Sequence, residues 1–268
     1  MAKLMVQVEH YLDANPRKPE AYARFQKRID ALQSSSMEDW GSIVFDDATW
    51  MELAARRYHQ YHLNPKAQHP WQWFAGSTDL LEEMLCQTAG ALPAIVGVAC
   101  HVSHEKDEAM GAILRSPSAP GRLKDRQELM SAFSEVYHIS VDRVQDEQGN
   151  VGYQHRLQTR ADGLWAAQTH IEAPNPCEPQ WEALWANWEG TSRPLSKVLV
   201  YGDPGCGKTT FLSTFPPPVL AFSFDPFGKE IPYLKQGNHL VEDTDDRGTP
   251  IRQVFKVPKV VKKGGEKT

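Results

Sequence analysis

The sequence has few cysteines, no long hydrophobic run and no excess of positive charge, and each absence narrows what the chain can be. Its four cysteines (Cys86, Cys100, Cys177 and Cys206) show no C-x-x-C spacing. Neither a disulfide framework nor a metal staple is expected, and a reducing cytoplasm is the expected compartment. No stretch approaches the roughly 20 apolar residues of a membrane span, and Met1–Val6 lacks the hydrophobic run of a secretory signal. No membrane partner is expected. With 29 Lys and Arg against 34 Asp and Glu, the formal charge is −5. That balance excludes a protein that coats DNA by bulk charge, so any nucleic-acid site must be a local basic patch. Internal repeats are also missing. What is there is an ordinary globular composition, 268 residues of which 41% are hydrophobic, enough for one full α/β core.

The most informative segment is Val198-Leu199-Val200-Tyr201-Gly202-Asp203-Pro204-Gly205-Cys206-Gly207-Lys208-Thr209-Thr210. An apolar strand runs into G-x-x-x-x-G-K-[ST], the phosphate-binding loop of nucleoside triphosphatases. Glycines let the backbone curl so that its N–H groups converge on phosphate oxygens. The spacing gives Lys208 the β- and γ-phosphates and the Thr209 hydroxyl a Mg²⁺ ion. A helix continuing through Thr210, Phe211 and Leu212 favours the anion at its start. Gly202 to Thr210 is therefore the expected nucleotide-binding segment, with ATP and Mg²⁺ as its ligands.

The loop lies late in the chain. Only about sixty residues follow it, and they hold one further convincing strand, Val219 to Phe224, whereas a nucleotide-binding core needs several parallel strands. Upstream, the patterns predict helices over Lys3–Asp13, Pro19–Leu32, Thr49–His62, Thr78–Thr88 and Trp181–Trp188. They predict strands over Ser42–Asp47, Ala94–Ala99, Glu135–Val141 and Tyr153–Arg160. Leu63 to Ser77, with Trp71, Trp73 and Phe74, reads as an aromatic-rich loop closing over the core, and base stacking is its alternative role. Residues 189–194 read as a linker and Ser116–Arg122 as a turn-rich loop.

An apolar strand ending in aspartate is how nucleoside triphosphatases hold the Mg²⁺ shell, because it puts a carboxylate at the sheet edge beside the phosphates. Ser42-Ile43-Val44-Phe45-Asp46 fits, which makes Asp46 and Thr209 the expected metal ligands. A turn or cap residue is the plainer reading of Asp46. In phosphate-loop proteins this strand normally follows the loop; here it precedes it. Read from Thr191 to Thr268 and then from Met1 to Gly190, the elements regain the usual order. The expectation is one domain over residues 1–268, circularly permuted, with 191–268 carrying the phosphate-loop part and 1–190 the rest of one parallel sheet.

In that reordered frame Val198–Thr214, Val219–Gly228, Trp40–Ala54, Ala94–Asp107, Gly121–Val141 and Arg156–Trp165 resemble the phage RecA-like ATPases of single-strand annealing and recombination. The softer carriers are the strand end Val98-Ala99-Cys100-His101, the Pro120-Gly121-Arg122-Leu123 loop and Leu157 to Gly163. The resemblance implies a three-layer α/β RecA-like core and an ATPase acting on single-stranded DNA as a homo-oligomer in a host bacterial cytoplasm, with phage recombination or replication proteins as partners. It implies Asp225 as the carboxylate that orients the attacking water, with Asp47 in the position other ATPase groups use. An Asp-Pro turn is the alternative for Asp225. His101 becomes a γ-phosphate sensor, with a structural histidine as its alternative, and Arg160 a finger toward a neighbouring subunit, against a surface arginine. Lys256, Lys259, Lys262, Lys263, Arg115, Arg122, Lys124 and Arg126 are the candidate DNA-phosphate contacts. Two other readings share the loop: a replication ATPase or helicase loader acting on a protein, and a nucleotide-gated DNA-binding module that hydrolyses little.

Overall fold

In the computed structural model the described residues are 5–34, 40–106, 108, 111–118, 126–146, 148–186, 197–226, 238–244 and 250–255. Strands β1 (Met5–His10), β2 (Ser42–Asp46), β3 (Ile95–Cys100), β6 (Glu135–Gln145), β7 (Val151–Gln158), β8 (Lys197–Tyr201), β9 (Val219–Ser223), β10 (Asn238–Thr244) and β11 (Pro250–Phe255) form one sheet in the order β11-β10-β1-β9-β2-β3-β8-β6-β7. From β10 to β6 every neighbouring pair is parallel. The outer strands β11 and β7 are antiparallel. Strands β4 (Val102–Lys106) and β5 (Ile113–Pro117) make a separate hairpin.

Period-two alternation sorts the central strands into two apolar faces. Ile43, Phe45, Val96, Val98, Leu199, Tyr201, Leu220 and Phe222 pack on one side with residues of α1 (Ala21–Ser34), α2 (Ala48–Tyr58) and α3 (Trp71–Glu82). Val44, Ile95, Val198, Val200, Val219 and Ala221 pack on the other with Trp181 of α5 (Trp181–Leu184) and Phe211 and Leu212 of α6 (Lys208–Leu212). Both faces of a parallel sheet are thus covered, giving three layers. Helix α4 (Arg126–Ser131) is a further short helix.

The strands from beyond residue 191 interleave with those before it: β8 lies between β3 and β6, and β9 between β1 and β2. The last described residue, Phe255, pairs with His239, which pairs with Val6. Met1, Thr268, the linker 189–194, Phe227-Gly228, Arg122, Lys124 and Lys256 to Lys263 lie outside the described residues.

Three expectations about local structure fail. The described residues of the predicted helix Lys3–Asp13 are not helical: Val6 and Val8 enter the core and Gln7 is half-buried between them, because the sheet offers β1 a slot between β9 and β10 that outweighs local helical spacing. Its inward Glu9 is satisfied by Arg28 at 2.9 Å and the Tyr11 hydroxyl at 2.7 Å. Residues 63–77 are not one loop, since α3 begins at Trp71, and Trp71 and Phe74 are exposed rather than closed over the core. Finally, the stretch after Gly228 contributes β10 and β11, although its polar composition gives no strand pattern.

Candidate functional site

Parallel strands of one sheet end together, and what they carry at their C-terminal ends converges. Strand β8 ends at Tyr201 and the chain turns at once into the glycine-rich loop. Gly205 and Gly207 adopt φ of +78° and +101°, values that side chains rarely tolerate and that curl the loop. At Gly202 a Cβ would come within 2.4 Å of the Ile139 carbonyl oxygen and 2.7 Å of the Cys206 sulfur. Gly202→Ala is expected to cost about 1–3 kcal/mol of stability through overpacking, read as a lowered urea midpoint.

Lys208 opens α6 and is buried, its ammonium donating to the carbonyls of Gly202 at 3.0 Å and Asp203 at 3.1 Å. The cation lies folded across the loop it would share with an entering phosphate. Beside it the Thr209 hydroxyl donates to Asp46 Oδ2 at 2.8 Å, a contact between residues 163 apart in the chain. Burial, opposed by the Thr209 hydrogen bond and aided by the charges of Asp47 and Asp225, pushes the Asp46 carboxyl up to about 6. Asp225 follows β9, whose Ser223 pairs with Asp46, and its charge is felt at both Asp46 and His101.

Asp47 is buried, and each of its oxygens has a partner. It caps α2 by accepting from the Trp50 backbone N–H at 2.9 Å, and its Oδ2 lies 3.1 Å from His101 Nε2. That hydrogen bond, against partial burial, raises the His101 pKa and favours the imidazolium. The His101 backbone N–H in turn donates to the Thr49 hydroxyl at 3.3 Å. Burial raises the thiols of Cys100 and Cys206, so neither supplies a thiolate at the loop.

Lys208, Thr209, Asp46, Asp47, His101 and Asp225 are therefore brought to one sheet edge. Arg160 is not: it is exposed, two residues beyond Gln158, which pairs with His138 at the level of Tyr201. Arg115 lies over the Trp165 ring at 4.6 Å. One contact had no signal in the sequence. His155 of β7 places Nδ1 2.8 Å from the Cys206 carbonyl, because β7 returns antiparallel along β6. Next to it a cavity of about 360 Å³ is lined by Tyr153, His155, Glu178, Gly207, Thr210 and Phe211, among others. Its size is that of a small-molecule site.

A divalent cation fits the pair Thr209 and Asp46, both hard oxygen donors within hydrogen-bond distance. No cluster of three or more His, Cys, Asp or Glu able to hold a metal occurs among the described residues. No described helix is long and apolar enough to cross a membrane. No protein-family model, curated protein or solved structure matches the chain.

Proposed function

We propose that this chain is a Mg²⁺-dependent ATPase with a RecA-like, circularly permuted core, acting as an oligomer on single-stranded DNA in recombination, annealing or repair. The observation that carries the nucleotide chemistry is the 2.8 Å contact between Thr209 and Asp46 beside the curled phosphate loop. Interleaving of β8 and β9 among the earlier strands supports the reordered core. So does the position of β3, which His101 follows, between the phosphate-loop strand and the Asp46 strand.

In this reading Lys208 leaves the Gly202 and Asp203 carbonyls for the β- and γ-phosphates, and the cavity beside Thr210 receives the nucleoside. Mg²⁺, held by Thr209 and Asp46, would neutralise charge developing on the phosphates. Asp225, which follows β9 beside Asp46, orients the attacking water, while Asp47 caps α2 through Trp50 and holds His101. Asp47 positions the His101 imidazolium toward the γ-phosphate.

Phosphate release from ATP, measured with and without Mg²⁺ and single-stranded DNA, tests the proposal. Turnover should require Mg²⁺ and rise with DNA. Asp225→Asn should lower it about 100-fold with nucleotide affinity unchanged; Asp47→Ala should lower it less and unfold at a lower temperature through the lost α2 cap. The reverse ranking would transfer the water-orienting role to Asp47. Tight ATP binding without turnover would favour the nucleotide-gated module, and stimulation only by a protein partner the helicase loader.

A further inference from the structure

From Leu53 to Thr78 the chain has no Asp or Glu, although 34 occur in 268 residues and about three would be expected in a stretch of that length. The same stretch holds Arg56, Arg57, Lys66, three histidines and five of the Tyr, Trp and Phe residues. It forms the tip of a helical hairpin: α2 runs on through a π-helical turn at His59–Leu63, a short connection follows, and α3 starts at Trp71. The tip is well anchored. Trp73 Nε1 donates to the Asn64 carbonyl at 3.0 Å, and the Ser77 hydroxyl donates to the buried Glu52 at 3.0 Å.

Its outer aromatics are nevertheless in water. Trp71 is 64% exposed, Phe74 49%, Leu63 52% and Tyr61 38%. Trp71 and Phe74 are three apart on α3 and so share a face. The Arg56 guanidinium sits 4.5 Å from the Phe74 ring centre, and its Nε lies 3.8 Å from Glu52 Oε1. A clustered, ordered aromatic surface held in solvent is uncommon unless something covers it. Aromatic planes interleaved with cations, the carboxylate partner of Arg56 being buried, match unpaired bases joined by phosphates. A duplex does not fit, because its bases are stacked inside and cannot reach Trp71. A protein interface shares the preference for aromatics and arginine; three cations with no Asp or Glu from Leu53 to Thr78 favour a polyanion instead.

We propose that the α2–α3 tip is a docking surface for a single-stranded nucleic acid, with bases stacked on Trp71 and Phe74 and phosphates held by Arg56 and Lys66. This rests on the proposed function only in taking a single strand as the polymer acted upon. The surface lies at the far end of α2 from Asp47, about 16 Å along an 11-residue helix, so polymer and nucleotide do not compete for it.

The test is fluorescence anisotropy with labelled 20-mers of oligothymidylate DNA and of oligouridylate RNA, alongside binding of a fluorescent ATP analogue. Both polymers share the chemistry, and their relative affinity identifies the natural one. The double variant Trp71→Ala/Phe74→Ala should weaken binding of the preferred strand about twentyfold or more, with the ATP analogue bound as before. Lys66→Gln should lower the slope of log affinity against log salt by about 0.7. Binding undiminished in the double variant would overturn the assignment. So would a wild-type protein that binds neither oligomer but forms a dimer lost in the double variant, which would make the tip an interface between copies. Loss of oligomer binding in the variant, with no ATP-analogue binding even in wild type, would keep the surface and remove the nucleotide reading instead.

Discussion

Replacing Lys208 with alanine is expected to lower ATP turnover at least about 100-fold, the scale seen when one preorganised donor to a developing anion is removed. Affinity for the ATP analogue should fall about tenfold, the worth of one charge-assisted contact. The fold should survive. Lys208 donates to two loop carbonyls: water can replace the ammonium at exposed Asp203, and the buried Gly202 carbonyl loses its partner at a cost of about 1–3 kcal/mol, short of unfolding the domain. Thermal unfolding that moves by no more than a few degrees, beside lost turnover, separates a chemical role from a structural one. Unchanged turnover in a folded variant would remove the ATPase assignment itself.

What was legible in the sequence follows from how local each cause is. The glycine-rich loop after β8 could be read because its conformation is set by its own glycines, as the positive φ at Gly205 and Gly207 reflects. Strands β2, β3 and β9 could be read because burial on both faces makes them continuous apolar runs, and their aspartate and histidine ends mark the sheet edge. Placing Asp46 against Thr209 needed one non-local step, that the two parts of the chain share a sheet.

The elements misread are those whose neighbours decide them. Val6 and Val8 suit a strand only because β9 and β10 lie beside them, and β10 and β11 satisfy their backbone hydrogen bonds in pairing that composition does not announce. At the hairpin tip a count of aromatic residues could not say whether Trp71 faces inward. His155 reaches Cys206 through the β6–β7 return, and no spacing in the sequence encodes that contact.

Asp46→Asn is expected to have the most distinctive signature, because one proton should act in opposite directions on stability and on metal binding. The folded protein holds the Asp46 carboxyl at about 6, against an ordinary 3.8, mainly because burial penalises the charge. Between those values the folded state binds more of this proton than the unfolded state does, so this group's contribution to stability falls as pH rises from about 4 to about 6 and is level above. The shift corresponds to about 3 kcal/mol. His138 works the other way, since burial lowers it to about 4 and stability from that group rises over the same range. The wild-type profile alone would therefore mix the two. The difference between variant and wild type isolates Asp46, and Asp46→Asn should gain relative stability from pH 4 to 6 by up to that amount in urea titrations without nucleotide. Mg²⁺-dependent nucleotide affinity should run oppositely. It needs the ionised carboxylate, so in wild type it should rise tenfold per pH unit until about pH 6. In Asp46→Asn it should be at least about tenfold weaker at pH 7 and nearly flat with pH, while nucleotide binding in EDTA stays at the wild-type level. If binding in EDTA fell as far as binding in Mg²⁺, Asp46 would be holding Thr209 and the loop in shape, and the metal assignment would fail with it.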